Sequence, residues 1–459
     1  MESDPVKTGS YHRAFIPIWK QDPGYWTGVV ASNFGDSSFT LDLVARDHEG
    51  STELLGRNPA SVPIEPGLQK SLLGSEFFES DPWKSALSWI ELGAEGTNRM
   101  GSIFLFGTSG TRMMDGAEAQ SAYAGRLYFT RARDEAFLEE WNPETLMSIV
   151  NPTGEAVTIN CILNGPDGTA ESSHTIPPGG FICGDTAYLV GSGHGIDDGY
   201  VEIEVTSGPG VIGFSRIDFP EIKTALGINA ARTASSRTLY SAQLAHGMDI
   251  LTNLRLVNTS STARKVTLTA IGDDGDYLAD PVTREIAGKG IYSSDLGSLF
   301  NLAKEGAVTT GSLAIEADGH GIIGDIIFAD GKDLEYAMSL PLQEKLFTEA
   351  VFNHISNLPS VFTGFAFFNP GEESAEITLE AIGTNGDIVA VKNLILGPGE
   401  RIARTLRDPD VWPDFPFQSG GYMKILSTRP IAGQQLFGDK SLRYMAAVPP
   451  TTRIEPMFN

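Results

Sequence analysis

Apolar and polar residues alternate along several stretches of this chain, and the alternation is clearest within residues 367–387. Four apolar residues occupy alternate positions there: Ala375, Ile377, Leu379 and Ala381. Three polar residues stand between them: Glu376, Thr378 and Glu380. A period of two places one set of side chains on the buried face of a β-strand and the other set in water. The stretch therefore predicts a strand that covers a core on one side.

The same phrase occurs four times, each time as an asparagine, an alternating strand and a glycine turn. The asparagines are Asn33, Asn151, Asn258 and Asn369. A glycine follows each asparagine at the same offset of 17 residues, at Gly50, Gly168, Gly275 and Gly386. Glycine supplies the positive φ that a tight hairpin turn requires. We expect each asparagine to form an Asx-turn at the end of the preceding strand.

Further short strand-like segments flank each hairpin and give about seven or eight strands in about 110 residues. The pattern lacks the amphipathic helices that a parallel βαβ fold needs between its strands. The sequence therefore predicts an all-β protein of four tandem Ig-like or jelly-roll-like β-sandwich repeats. The predicted repeats span residues 1–122, 123–236, 237–343 and 344–459, with an insertion in the first and a C-terminal tail after the last. The linkers are mostly short, which favours repeats that touch, but the stretch 107–126 is longer and reads as a loose connection.

One position of the alternating strand, ten residues after each asparagine, is expected to lie in the core of its repeat. The residues at this position are Leu43, Cys161, Leu268 and Leu379. Cys161 is therefore interpreted as a buried thiol. A disulfide between Cys161 and Cys183 is the alternative.

The order of these segments resembles that of a known family. The pieces that carry the resemblance are SRIDFPEIKTALGINAA at 215–231 and LRDPDVWPDFPFQSGGYMKI at 406–425. They are similar to the sensory rhodopsin transducer family and related bacterial surface repeats. Arg216 and Asp218 have no counterparts in the first copy, and Arg216 has none in the fourth. Members of that family are single β-sandwich domains that assemble as tetramers, so the resemblance implies that four fused copies close into a pseudo-fourfold ring.

The net charge of the chain limits the partners that we expect, and its apolar segments bear on the compartment. The formal net charge is −25 at pH 7, and a chain this acidic repels phosphate backbones, so nucleic acid is not an expected partner. No apolar run approaches the roughly 18–20 residues of a membrane span. The first residues lack the apolar core of a signal peptide. We therefore expect an extracellular or cell-surface protein whose signal peptide is absent from this sequence, with a cytoplasmic protein as the alternative.

The sequence contains no recognisable catalytic constellation. Its seven histidines have no zinc-ligand spacing, and neither a nucleophile elbow nor a phosphate-binding loop is present. The acidic turn with Asp273, Asp274 and Asp276 is interpreted as a hairpin turn, with a calcium site as the alternative. The sequence therefore predicts a protein that is not an enzyme and has no catalytic residues, cofactor or metal ion.

Aromatic residues supply the candidate binding site. They are Trp26 near the first hairpin, Trp83 in a connection of the first copy, and Trp412, Phe415 and Phe417 in the matching connection of the fourth. They are interpreted either as plugs at a sandwich end or repeat seam, or as a platform for a sugar ring or a partner protein. The predicted function is a non-enzymatic structural or interaction module that meets a protein or glycan at the cell surface. A carbohydrate-binding protein and an enzyme with an unrecognised site are the alternatives, and the oligomeric state stays open between an assembly and a monomer with internal pseudo-fourfold symmetry.

Overall fold

The computed structural model is nearly all β, with 62% of its residues in strands and 3% in helices. It describes residues 11–21, 25–53, 55–80, 86–95, 100–108, 114–134, 143–219, 224–232 and 234–452. The prediction of an all-β fold is confirmed. The strands form four successive groups, which we call modules 1 to 4, whereas the predicted repeat boundaries stay predictions.

The first three modules have the following elements. Module 1 contains β1 (Tyr11–Gln21), β2 (Tyr25–Asn33), β3 (Phe39–Arg46), β4 (Ala60–Ile64), β5 (Gln69–Leu73), α1 (Gly74–Phe77), β6 (Ala86–Glu95), β7 (Met100–Thr108) and β8 (Met114–Glu118). Module 2 contains β9 (Arg126–Asp134), β10 (Glu144–Val150), β11 (Val157–Gly165), β12 (Gly168–Ile176), β13 (Phe181–Gly184), α2 (Thr186–Val190), β14 (Asp198–Ser207), β15 (Ile212–Phe219) and β16 (Thr224–Asn229). Module 3 contains β17 (Thr238–His246), β18 (Ile250–Asn258), β19 (Arg264–Gly272), β20 (Val282–Ile286), β21 (Ile291–Asp295), α3 (Leu296–Leu299), β22 (Thr309–Ala317), β23 (Ile322–Asp330) and β24 (Ala337–Pro341).

Module 4 differs from the others in one long strand. Its elements are β25 (Phe347–Phe352), β26 (Ser356–Asn357), β27 (Val361–Phe368), β28 (Ala375–Ile382), β29 (Ile388–Leu396), β30 (Arg401–Thr405), β31 (Gln418–Ser419), β32 (Tyr422–Asp439), β33 (Met445–Val448) and β34 (Pro450–Thr451). The first part of β32 pairs with β28 and its last part pairs with β27. One strand therefore takes the place of the two that the other modules use.

Each module has two antiparallel sheets with a recurring strand order. In module 1 the orders are β1-β6-β3-β4 and β5-β2-β7-β8. Module 2 has β9-β14-β11-β12 and β13-β10-β15-β16, and module 3 has β17-β22-β19-β20 and β21-β18-β23-β24. The pairings of module 4 give β25-β32-β28-β29 and β30-β27-β32-β33. The chain thus builds one sandwich-like topology four times.

The core of each module lies between its two sheets, and the alternating strand faces it as predicted. The four residues ten positions after the asparagines are completely buried: Leu43, Cys161, Leu268 and Leu379. Each belongs to the apolar cluster of its own module. Cys161 and Cys183 are both free thiols, so the disulfide alternative is not what the structure forms. Burial raises the pKa of the Cys161 thiol to about 12.

Replacing Leu268 with alanine is expected to lower the free energy of unfolding by about 2–5 kcal/mol, because the deleted side chain leaves a cavity in a close-packed core. Thr269→Ala is the matched control on the same strand, and we expect it to change the free energy by about 0.5 kcal/mol or less. Chemical denaturation of the full chain measures both. A loss of less than about 0.5 kcal/mol for Leu268→Ala would show that the faces of this strand are assigned backwards.

The side chains of the recurring asparagines form hydrogen bonds to backbone groups of the neighbouring turns and strands. Asn258 is fully buried, and its side-chain amide donates to the carbonyl oxygens of Thr262, Ile286 and Ala287 at 2.8, 3.1 and 3.0 Å. Its Oδ1 accepts from the backbone N–H of Ser260 at 3.0 Å, which closes the expected Asx-turn. Asn151 and Asn369 make the equivalent four bonds, and Asn33 donates to the carbonyl oxygens of Ser37 and Ile64 and accepts from the N–H of Gly35. Asparagine is required because the site needs both a donor and an acceptor.

The four modules close on each other around one axis. The strand β8 of module 1 contacts β16 of module 2 and β33 of module 4, and β24 of module 3 contacts the same two strands. The contact between β33 and β8 joins the last module to the first. The structure is therefore a closed ring of four modules.

Candidate functional site

A single buried carboxylate lies where the four modules meet. Asp115 on β8 is fully buried. Its Oδ1 accepts hydrogen bonds from the backbone N–H groups of Gly116 at 2.8 Å and Ala447 at 3.0 Å. Its Oδ2 accepts from those of Gly227 at 3.0 Å and Ser339 at 3.2 Å. Each donor belongs to a different module, so one side chain joins all four.

Two features of the environment of Asp115 shift its pKa in opposite directions. Burial away from water raises the pKa of the Asp115 carboxyl from 3.8 to about 7, and the four N–H bonds lower it. The residues that precede the other donors in modules 2, 3 and 4 are apolar: Leu226, Met338 and Ala446. Asp115 is thus the ionisable member of an otherwise apolar set.

Asp115 is not among the residues that the sequence predicts to be functional, because the stretch 107–126 reads as a loose connection. The structure corrects this interpretation, since Met114–Glu118 is a strand that pairs with β7. Residues 109–113 lie outside the part of the chain that the structure describes. The sequence did contain one signal for this site. Asp115 stands between Met114 and Gly116, at a position where the other copies carry apolar residues.

Glycine turns form three of the seams between modules. A Cβ atom on Gly50 of module 1 would lie 2.0 Å from the carbonyl oxygen of Pro178 in module 2. The contacts are looser at the other two turns: a Cβ atom on Gly275 would lie 2.9 Å from the carbonyl oxygen of Pro398 in module 4, and one on Gly386 would lie 3.4 Å from that of Gly67 in module 1. The constant offset of these glycines therefore reflects both the positive φ of a hairpin and the close approach of the next module. Gly168, the fourth member, has no atom within 4 Å of its Cβ position.

The seam between modules 2 and 3 is held by buried charges instead. Arg131 and Asp325 form an ion pair whose side chains are both 0% exposed. The carboxylate of Asp325 also accepts from the hydroxyl of Thr130 at 2.6 Å. A second guanidinium bond, from Nη1 of Arg131, reaches Oδ1 of Asn253 at 3.0 Å. Nearby, the fully buried Arg255 donates to the carbonyl oxygen of Thr130 at 2.7 Å.

Arg401 ties module 4 to module 3. Its Nη1 donates to Oδ1 of Asp273 at 2.6 Å, and its Nη2 donates to Oε1 of Gln243 at 2.8 Å. The other oxygen of Asp273 accepts from the hydroxyl of Thr310 at 2.9 Å. The carboxylate of Asp273, the first in the acidic turn, therefore bonds across the contact between modules 3 and 4. Oδ1 of Asp274 accepts from the backbone N–H of Asp276 within the turn.

The first and second modules meet through aromatic and cationic groups. The indole N–H of Trp89 in module 1 donates to the carbonyl oxygen of Gly179 in module 2 at 2.7 Å. The guanidinium of Arg216 lies 4.9 Å from the ring centroid of Tyr25 and 5.1 Å from that of Phe106. The arginine that carries part of the resemblance thus has a contact role at a seam.

The seam between modules 4 and 1 closes the ring with residues that are far apart in sequence. The side-chain amide of Gln69 donates to the carbonyl oxygens of Asn353 at 2.6 Å and Gly421 at 2.9 Å. The backbone N–H of Gly421 donates back to Oε1 of Gln69 at 2.9 Å. The phenol of Tyr422 donates to the carbonyl oxygen of Gly67 at 3.0 Å.

The structure does not bring the predicted aromatic residues that it describes together in one surface. Trp412 and Phe415 are buried in the core of module 4, where their rings stack with centroids 5.4 Å apart. Phe417 is 60% exposed, with the guanidinium of Arg407 5.0 Å from its ring centroid. Trp26 is half-buried and packs on a cluster shared by modules 1 and 4. Trp83 lies outside the described residues.

Comparisons with known proteins identify no family for this chain. No protein-family model matches it, and no curated protein matches it. Within the described ranges, no helix has the length and apolar character needed to cross a membrane. Among those same residues, no group of three or more His, Cys, Asp or Glu side chains is placed to hold a metal ion.

Proposed function

We propose that this protein is a non-catalytic interaction platform, in which four sandwich-like modules are held in a fixed ring so that matching loops meet a partner protein together. The observation that carries the proposal is the join at the axis, where Asp115 accepts a hydrogen bond from every module. A protein that only has to span a distance can connect its modules by flexible linkers. Buried polar bonds between modules instead fix the orientation of each module relative to the others. Fixed orientation lets several weak contacts act as one stronger interaction.

A protein partner fits the aromatic residues better than a glycan does. A sugar platform needs exposed aromatic faces, but Trp412 and Phe415 pack against each other inside module 4. Of the candidate aromatics that the structure describes, Phe417 is the exposed one. A location at the cell surface or outside the cell completes the proposal, and it rests on the Gly-, Ser- and Thr-rich repeated pattern and on the resemblance to bacterial surface repeats.

Small-angle scattering of the full chain tests the fixed ring. A compact body of this length is expected to have a radius of gyration near 23 Å, or slightly more if a central hole is present. Four modules in a straight file would have a radius of about 40 Å. A measured radius of gyration near the larger value would contradict the platform and would indicate an extended spacer.

A glycan array probed with the full chain tests the alternative. We expect no bound glycan, because Trp412 and Phe415 are buried and their rings cannot stack on a sugar. Phe417→Ala is the informative variant, and Tyr277→Ala, which removes another exposed aromatic ring, is the matched control. Binding that is lost in Phe417→Ala and kept in Tyr277→Ala would overturn the protein platform in favour of carbohydrate recognition.

A further inference from the structure

The sheet β25-β32-β28-β29 of module 4, which takes no part in the ring axis, presents apolar side chains to water. Val391 is 52% exposed, Ile395 is 69% exposed and Leu426 is 47% exposed. Thr378 on β28 lies opposite both Asn393 and Leu426, so these side chains share one face of the sheet. Val391 and Ile395 belong to the same face, because each stands two positions from Asn393 on β29.

The apolar character of this face is not repeated in the other modules. The strand registers of modules 1, 2 and 3 give the residues that stand at the positions of Ile395 and Leu426. For Ile395 they are Pro63, Thr175 and Glu285, and for Leu426 they are Gly93, Glu204 and Glu316. No other module has leucine, isoleucine or valine at either position. The exposed apolar side chains are therefore a property of module 4 and are not required by the repeated fold.

Two glutamates on β28 stand directly beside the apolar side chains of β29. Glu376 lies opposite Ile395, and Glu380 lies opposite Val391. Directly opposite residues of an antiparallel pair have Cβ atoms about 4.5–5.5 Å apart. Within the described residues, neither carboxylate forms an ion pair. Each apolar side chain at this edge of the sheet thus has an uncompensated negative charge next to it.

A third glutamate stands where module 2 has an arginine. Glu349 on β25 lies opposite Leu426. The same position in module 2 is held by Arg126, which lies opposite Glu204 and forms an ion pair with it. Module 4 therefore has a carboxylate and a leucine in place of an ion pair, and this leaves both groups open to a partner.

A groove of about 350 Å³ lies between Glu349 and Glu376, and Leu426 forms part of its wall. A lysine or arginine side chain fits this arrangement, because its hydrocarbon stem can cover a leucine while its charged end reaches the carboxylates. Lys424 is a cation of the same face, but its ammonium lies 6.0 Å from the ring centroid of Tyr422, at the seam with module 1. The net charge of −25 also attracts a basic partner over a longer range.

We propose that this face of module 4 is a docking surface for a partner protein that presents lysine or arginine side chains among apolar ones. One basic side chain of the partner lies in the groove between Glu349 and Glu376, and apolar side chains of the partner cover Val391 and Ile395. A second copy of the chain would bring the same carboxylates together, and their repulsion disfavours it. The surface is built from strands and not from loops, so its test is independent of the loop platform.

Methyl NMR of the full chain tests the surface with a peptide of alternating lysine and leucine that is as long as β29. Saturable shifts of the methyl groups of Val391, Ile395 and Leu426 are the expected result. A peptide of alternating glutamate and leucine has the same apolar content, and it should cause no saturable shifts because the carboxylates repel it. Added salt should weaken binding of the lysine peptide, since it screens exposed charges.

Two variants separate the apolar from the charged contribution. Ile395→Thr should weaken binding of the lysine peptide by about fivefold to tenfold, because most of the apolar area at this position is lost. Glu376→Gln should weaken it by up to about fivefold. Glu285→Gln, on the matching strand of module 3, and Leu442→Thr, at another exposed leucine, are the matched controls and should leave binding unchanged. Thermal unfolding shows that each variant is folded.

Four results would overturn the proposal. The first is the absence of saturable shifts at the three methyl-bearing residues up to the solubility of the lysine peptide. The second is equal binding of the two peptides, which would remove the role of charge. The third is unchanged binding in both Ile395→Thr and Glu376→Gln. The fourth is a dimer of the free chain in sedimentation that Ile395→Thr dissociates, which would make this face a contact between two copies.

Discussion

Replacing Asp115 with alanine is expected to cost about 4 kcal/mol of unfolding free energy at a pH near 5. The change leaves four buried N–H groups without an acceptor, and each orphaned donor costs about 1 kcal/mol or more. The groups belong to Gly116, Gly227, Ser339 and Ala447, so all four modules lose a bond at once. Chemical denaturation of the full chain measures the loss.

The cost of Asp115→Ala is expected to depend on pH in a defined direction. Burial raises the pKa of Asp115 to about 7, so the folded protein binds this proton more tightly than the unfolded chain does. The contribution of a protonated Asp115 to stability is then fully present below the unfolded pKa of 3.8 and declines as the pH rises toward 7. The difference between wild type and Asp115→Ala should therefore shrink between a pH near 5 and a pH near 8.

Asp280→Ala is the matched control, since Asp280 is exposed in module 3, and it should change stability by about 0.5 kcal/mol or less at any of these pH values. A difference for Asp115→Ala that grows with pH would mean that the four N–H bonds outweigh burial and hold the pKa below its ordinary value. A difference of less than about 1 kcal/mol at every pH would contradict the role of Asp115 as the axial join.

Arg131→Met is expected to destabilise the protein by about 3–5 kcal/mol, because the substitution leaves the carboxylate of Asp325 buried without its cation. Both side chains of this pair are 0% exposed, and the hydroxyl of Thr130 is too weak a partner to replace a guanidinium. Chemical denaturation measures the loss. Scattering should also show whether the seam between modules 2 and 3 opens.

The control for Arg131→Met lies at the surface of module 4. Arg429 pairs with Glu373, where the two side chains are 51% and 66% exposed, and Arg429→Met is expected to cost about 1 kcal/mol or less. The double variant Arg131→Met with Asp325→Leu should recover most of the loss, because replacing a whole buried pair with apolar groups is often neutral. A double variant as unstable as the sum of its two single variants would show that the pair is not coupled.

Several features of the fold follow from the sequence alone for a local reason. The alternation around Leu379 fixes which face of β28 is buried, because successive side chains on a strand point to opposite sides. The Asn-to-Gly offset fixes a hairpin and its cap, because the Asx-turn of Asn258 and the positive φ of Gly275 need only nearby atoms. These signals identify an all-β chain and place Leu43, Cys161, Leu268 and Leu379 in the core.

The candidate sites were less predictable, since they depend on which distant segments meet. Trp412 and Phe415 look like a platform in sequence, but the fold turns both rings into the core of module 4. The two cysteines of the sequence allowed a disulfide between Cys161 and Cys183, but the structure leaves both thiols free.

The amino-acid sequence by itself determined the strands, the hairpins, the capping asparagines and the inward faces, because each of these depends on residues a few positions apart. Only the tertiary structure decided the seams and the axial join. Gln69 meets Gly421 across 352 positions of sequence, and Asp115 meets Ala447 across 332. No local pattern marks such pairs, because the free energy that selects them arises when buried donors, acceptors and charges find one another after the modules have packed.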